Sequence, residues 1–282
     1  MTRIFTDKKS ARICVIRVIR VQSFFKTARQ TMTTLTEFRP GLFLTELQLP
    51  DFAVRGAIIT GAQHTVIWDS LSHPRDMQPV ENLLAQKNWA LVYSHADWDH
   101  VWGTCGLPHH GKPIIGHVDC LARFAQEVPL ELNEKKKLQP GQWDEVVLIP
   151  PTQTFTQEFS LDLGGLTLTL HHLPGHTRDC IVGFIPEWGV LLAGDTVETP
   201  LPVINADSPA ETWIAELEKW EQNDRVQHVI PSHGRIGGRE LLRQNIVYLQ
   251  NLQNGVPVNF SEKLDDFYRE THLNNLTLCM KD

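Results

Sequence analysis

The stretch WALVYSHADWDH, residues 89–100, sets an apolar run against four side chains that favour metals: His95, Asp97, Asp99 and His100. The run WALVYS reads as a buried strand, short and rich in aromatic and β-branched residues. Alternate side chains on a strand share a face, which groups His95 with Asp97, and a turn after Trp98 aims Asp99 and His100 at a second point. Taken alone, the cluster also fits an acid-rich helix start with two solvated histidines.

Three more stretches repeat its grammar of apolar strand, small or turn-forming residue, and one ligand-capable side chain. LPGHTRD places His176 after LTLTLHHL, LLAGDTV places Asp195 after GVLLAG, and VIPSHGR places His233 after HVI. Ligands at strand ends are rigidly based yet face one open edge, as a preorganised site requires.

Around these motifs the chain alternates. GLFLTELQL (41–49), VRGAIIT (54–60) and HTVIWD (64–69) read as strands separated by Pro, Gly and Asp, and DMQPVENLLAQKN (76–88) has helical spacing. KPIIGH and VDCLARFAQEV read as strand then helix, with the run Glu134–Lys137 taken as a solvated turn or a lid. A second strand-rich block holds EFSLDL, LTLTLHHL, CIVGFIP and GVLLAGD, turning at Gly164-Gly165 and around residues 187–189. Helices follow: Ser208-Pro209-Ala210-Glu211 reads as a capping box opening TWIAELEKWEQN, GRELLRQNIVYLQNLQN is amphipathic, and the tail from Ser261 looks helical. Strands then helices, twice, predict an α/β fold: a four-layer αββα sandwich of two mixed β-sheets with outer helices.

H-x-D-x-D-H (95–100), PGHT (174–177), AGDT (193–196) and PSHG (231–234), in this order, resemble the metallo-β-lactamase fold superfamily, its glyoxalase II-like branch included, over about residues 41–250. The resemblance implies one metal held by His95, Asp97 and His176, a second by Asp99, His100 and His233, and Asp195 bridging them. It also implies that Asp99 orients the nucleophile and returns a proton to the leaving group, and that Asp69, in VIWDS, steadies a ligand. One departure stands out: the family usually has histidine where this chain has Asp97. A carboxylate there hardens the first site and makes iron or manganese more competitive, with zinc still the first choice.

The implied activity is hydrolysis of a small-molecule ester, thioester or lactone by water activated between two divalent ions. The same fold serves β-lactamases, lactonases, ribonuclease Z and sulfur dioxygenases, so fold does not fix the chemistry. Flavodiiron proteins carry H-x-E-x-D-H, which leaves a non-haem iron redox enzyme, flavodiiron-like or dioxygenase, as the alternative; a metal-binding scaffold without turnover is the third reading.

Composition narrows the partners. Residues 1–31 hold eight Lys/Arg against one Asp, leaving 18 basic and 32 acidic residues in the rest. So acidic a body disfavours nucleic acid and anionic membranes as partners. The first 31 residues are read as a basic extension, disordered or not native, before a domain at 32–282; an organelle transit peptide is the other reading. Five cysteines without a CxxC pair, and no secretory leader, point to a reducing, cytoplasmic setting. His109, His110, His117, His171, His172 and the stripe Trp213, Leu217 and Trp220 are read as loop or packing residues.

Overall fold

Strands buried on both faces must be apolar at every position, and that condition shapes the middle of this chain. The structure, a computed structural model, describes residues 32–84, 88–260 and 262–279. The readings of residues 1–31 as an extension or a transit peptide therefore lie outside the described residues.

The first sheet has seven strands in sequence order: β1 (Thr34–Arg39), β2 (Leu42–Gln48), β3 (Ala53–Thr60), β4 (Thr65–Trp68), β5 (Trp89–Val92), β6 (Ile114–His117) and β7 (Gln153–Phe155). β1 to β4 pair antiparallel and β4 to β7 parallel, so the sheet is mixed. The second sheet runs β12 (His228–Pro231), β11 (Val190–Gly194), β10 (Ile181–Ile185), β9 (Thr167–His172), β8 (Glu158–Asp162), antiparallel except for the parallel pair β11–β12.

Alternation along each strand sorts side chains into three apolar layers. Leu42, Ala57, Val66, Trp68, Val92 and Ile115 meet Leu168, Leu170, Ile181, Val190, Leu192 and Ile230 between the sheets. From the other face of the first sheet, Val54, Ile58, Ile67 and Leu91 pack on α1 (Gln78–Leu84), α2 (Trp98–Val101) and α3 (Val118–Leu138). From the other face of the second, Val182, Phe184, Leu191 and Val229 pack on α4 (Ala210–Gln222), α5 (Glu240–Gln253) and α6 (Asp266–Cys279). The result is the four-layer αββα sandwich. No helix among the described residues is long and apolar enough to cross a membrane.

Several local readings change. TLTEFR is a strand of its own, paired with β2 at the sheet edge. The Glu134–Lys137 run is helix and not a turn: α3 continues through Pro129 to Leu138, and Lys135 lies over the Trp98 ring at 3.8 Å. Ser208 caps no helix, because Pro209 occupies the cap position and no side chain serves α4 there. The Ser208 hydroxyl instead donates to the carbonyl of His176 at 2.8 Å.

Candidate metal centre

All four ligand-bearing segments leave the sheets at one edge. His95 follows β5, Asp97 precedes α2, which carries Asp99 and His100, His176 follows β9, Asp195 follows β11 and His233 follows β12. Two glycines permit the close approaches. A Cβ at Gly175 would lie 2.6 Å from the Trp213 indole, and Gly194 turns at φ +52° against Ser94. Trp213 in turn donates its ring N–H to the Thr196 carbonyl at 2.9 Å, so this core residue also fixes the Asp195 loop.

The expected ligands converge. Asp97 Oδ2 lies 3.0 Å from His176 Nε2 and 3.6 Å from His95 Nε2. Asp99 lies 3.6 Å from His233 Nε2 and 3.7 Å from His100 Nε2. Asp195 stands between the two groups, 3.6 and 3.9 Å from His95 and His176, and 3.3 Å from both His100 and His233. In each of the trios His95/Asp97/His176, His95/His100/Asp195 and Asp99/His100/His233, the ligand atoms lie within 4.8 Å of one another.

Each imidazole is held through its other nitrogen, which leaves Nε2 for the centre. Asp69 Oδ2 pairs with His100 Nδ1 at 2.9 Å, the Val203 carbonyl with His176 Nδ1 at 3.0 Å and the Ala53 carbonyl with His233 Nδ1 at 2.8 Å. Ser94 Oγ donates to Asp69 Oδ2 at 2.7 Å, so it is an acceptor for His95 Nδ1 at 3.0 Å. Asp69 thus orients one candidate ligand in each group, His100 directly and His95 through Ser94. Fixed tautomers of this kind are what metal-binding histidines require.

The fit to cations rests on atoms that protein alone leaves unsatisfied. His95 Nε2, His100 Nε2 and Asp195 Oδ1 are buried with no hydrogen-bond partner, a costly condition that an ion between them relieves. Four imidazoles and three carboxylates are a suitable donor set for zinc, iron or manganese.

Charge points the same way. Burial disfavours a charged imidazole, but the hydrogen bond and charge of Asp97, with the charge of Asp195, push His176 up to about 9. Burial is likewise outweighed at His233, which Asp195 pushes up to about 10. Burial works against the ionised form of Asp97, yet Arg123 and His95 hold it well below the usual carboxylate range. Without a metal His176 and His233 therefore keep protons at neutral pH, and a cation entering the centre displaces them.

Residues not anticipated from sequence complete the surroundings. Arg55, on β3, donates to the carbonyls of Pro231 and Gly234 on either side of His233. Arg123 pairs with Asp97, and Glu198, buried three positions after Asp195, accepts from Tyr268 of α6 at 3.0 Å. Burial raises Glu198 to about 7. The AGDTVET spacing was the available signal for Glu198, and the aspartate of PGHTRD for the Arg123 network.

A further trio, His117, Asp119 and His172, lies equally close together but lacks a ligating geometry. The two rings stack in nearly parallel planes, 9° apart with centroids 3.7 Å apart, so their in-plane lone pairs do not meet. His117 instead caps α3 by accepting from Asp119 N–H and pairs through Nε2 with the Thr156 carbonyl.

Above the centre lies a cleft of about 120 Å³ walled by Phe52, Trp98, Val203, Phe267 and Glu198. A wider groove, about 640 Å³, lies beside Val226, Gln227 and Arg239, at the end of β12 away from His233, and contains none of these ligands.

The family model for the metallo-beta-lactamase superfamily matches residues 52–233. Among curated proteins, the metallo-beta-lactamase type 2 of Bacillus sp. (strain 170) is 25% identical over 189 residues, 65% of this chain and 66% of that protein. The linear primary-alkylsulfatase of Pseudomonas sp. (strain ATCC 19151) is 22% identical over 190 residues, 55% of this chain and 36% of that protein. The chain thus spans about a third of one curated relative and just under two thirds of the other. Among solved structures, a metallo-beta-lactamase from Pontibacter korlensis superposes with a TM-score of 0.66 at 19% identity, over 78% of this chain and 100% of that one. FIM-1 from Pseudomonas aeruginosa, in its mono-zinc form, gives 0.63 at 20% identity over 80% and 97%.

Proposed function

The chain belongs to the metallo-β-lactamase superfamily, and from that premise we propose that it is a metal-dependent hydrolase of a small-molecule ester, thioester or lactone. The observation that carries this reading is the pair of His-Asp-His groups sharing Asp195, with buried unpaired Nε2 and Oδ1 atoms between them. Two divalent ions held by His95, Asp97 and His176, and by Asp99, His100 and His233, would supply activated water near neutral pH and polarise a carbonyl.

The chain's own residues do the rest. Asp99 borders the cleft, where its carboxylate can orient the attacking water, take its proton and pass it to the leaving group. Asp69 and the backbone carbonyls of Ala53 and Val203 keep the imidazole Nε2 atoms turned inwards. Phe52, packed 5.1 Å from Phe267 and 6.4 Å from Trp98, gives the non-reacting part of a substrate an apolar wall and excludes water.

The cleft lining contains no lysine or arginine among the described residues. Lys135 lies over Trp98, outside the lining, and 4.0 Å from Glu131. An uncharged acyl group therefore suits the wall better than the sulfate or carboxylate of an anionic substrate. This favours esters, thioesters and lactones over the alkyl sulfates named by one curated relative.

A second reading keeps one specific support: each ligand group is two histidines and one carboxylate, the non-haem iron arrangement. A substrate panel decides between them. Zinc-loaded protein is expected to turn over an ester, thioester or lactone, to lose that activity to a chelator and regain it on zinc addition. Iron-dependent consumption of oxygen or peroxide, with no hydrolysis across the panel by fully loaded protein, would overturn the proposal.

A further inference from the structure

Among the three carboxylates of the centre, Asp97 alone is paired with an arginine in the described residues. Arg123, on α3 and only 8% exposed, donates from Nη2 to Asp97 Oδ1 at 2.6 Å. This leaves one oxygen, Oδ2, facing His176 and His95. The guanidinium is itself immobilised: Nη1 donates to Asp179 Oδ1 at 2.8 Å and Nε to Glu127 Oε2 at 2.8 Å. Asp179 Oδ1 also accepts from Thr177 Oγ1 at 2.8 Å, and Glu127 Oε1 accepts from Arg178 at 2.6 Å. Thr177, Arg178 and Asp179 follow His176 directly. One guanidinium therefore laces together the two loops that deliver Asp97 and His176 to the same point.

We propose that Arg123 is a positioning residue for the His95, Asp97 and His176 group, fixing Asp97 so that it offers a single oxygen and thereby setting that group's affinity for its cation. The inference rests on the metal-centre reading above. A carboxylate held by a rigid planar fork loses its freedom to rotate before the ion arrives, so less ordering is left to oppose binding. The same contact offsets the charge of a half-buried carboxylate that would otherwise have only histidines as partners. Direct repulsion between guanidinium and cation acts the other way. Together with the bracing of the His176 loop through Asp179 and Glu127, it survives once the residue at 97 no longer needs an anionic tether, so replacing Asp97 isolates the tether itself.

Zinc titration against a chromophoric chelator tests the assignment in two backgrounds: His233→Ala, which leaves the first group intact, and His176→Ala, which leaves the second. Arg123→Met is expected to weaken zinc binding about tenfold to a hundredfold in the first background and by less than about threefold in the second. In an Asp97→His chain, whose imidazole has no anionic oxygen to tether, the loss caused by Arg123→Met should shrink by at least about threefold. Arg123→Lys, which keeps a cation in the same space, should show the same pattern with a smaller loss, and it replaces the methionine variant if that chain does not fold. Equal weakening in both single-group backgrounds, no weakening in the first, or an undiminished loss with Asp97→His overturns the proposal. A chain that binds no zinc in any background overturns the metal-centre reading itself.

Discussion

Asp195→Ala is expected to lower kcat/KM by about a thousandfold, equivalent to about 4 kcal/mol of transition-state stabilisation. Among the described residues Asp195 is the one side chain within 4 Å of Nε2 in all four histidines, so its loss removes the link between the two groups. Either ion alone can polarise a carbonyl, but holding water between two ions needs both at a fixed separation. Metal content should fall from about two equivalents to one or fewer on the same argument. The fold should persist, because Asp195 sits in a loop beyond β11 and belongs to none of the three apolar layers. Kinetics on the best panel substrate, elemental analysis and far-ultraviolet circular dichroism check these points together. Activity within tenfold of the parent, at two equivalents of metal, would show that Asp195 bridges nothing.

Asp69→Ala should have the second largest effect, although Asp69 reaches neither metal nor substrate in this account. Its carboxylate accepts from Ser94 N at 2.7 Å, from Ser94 Oγ at 2.7 Å and from His100 Nδ1 at 2.9 Å, all buried. Alanine leaves Ser94 N without a partner and His100 Nδ1 with only the longer contact to Ser94 Oγ at 3.4 Å, at about 1–3 kcal/mol for each lost partner. It also places a residue less suited than aspartate at φ 60°. The metal-free protein should lose about 3 kcal/mol or more in urea unfolding. Zinc affinity should fall about tenfold to a hundredfold at both groups, because Asp69 orients His100 directly and His95 through Ser94. A loss confined to the group containing His100 would mean that the relay through Ser94 does not operate.

The layers and the convergence of the candidate ligands are legible in the sequence for one physical reason: each is a local pattern. β4, β5, β10 and β11 are buried at nearly every position, so they appear as short apolar runs, and the candidate ligands stand a few residues beyond the ends of β5, β9, β11 and β12. β1 was missed because TLTEFR is an edge strand, half exposed and largely polar, and β7 because three residues carry no period. The second half of α3 was hidden by Pro129 and by a charge run that read as a turn.

The side chains around the ligands could not be found in this way. Arg123 reaches Asp97 across 26 residues and Asp179 across 56, and Tyr268 reaches Glu198 across 70. Such pairs exist only once the sandwich has closed. Ser208 shows the converse error, a local cap signal overridden when its hydroxyl found the His176 carbonyl.

Anomalous-difference diffraction from zinc-loaded crystals tests the central claim most directly. The account predicts two peaks about 3.5–4 Å apart, one among His95, Asp97 and His176, the other among Asp99, His100 and His233, with Asp195 between them. No peak within coordination distance of these residues, or peaks only at outlying histidines such as His117 and His172, would contradict it.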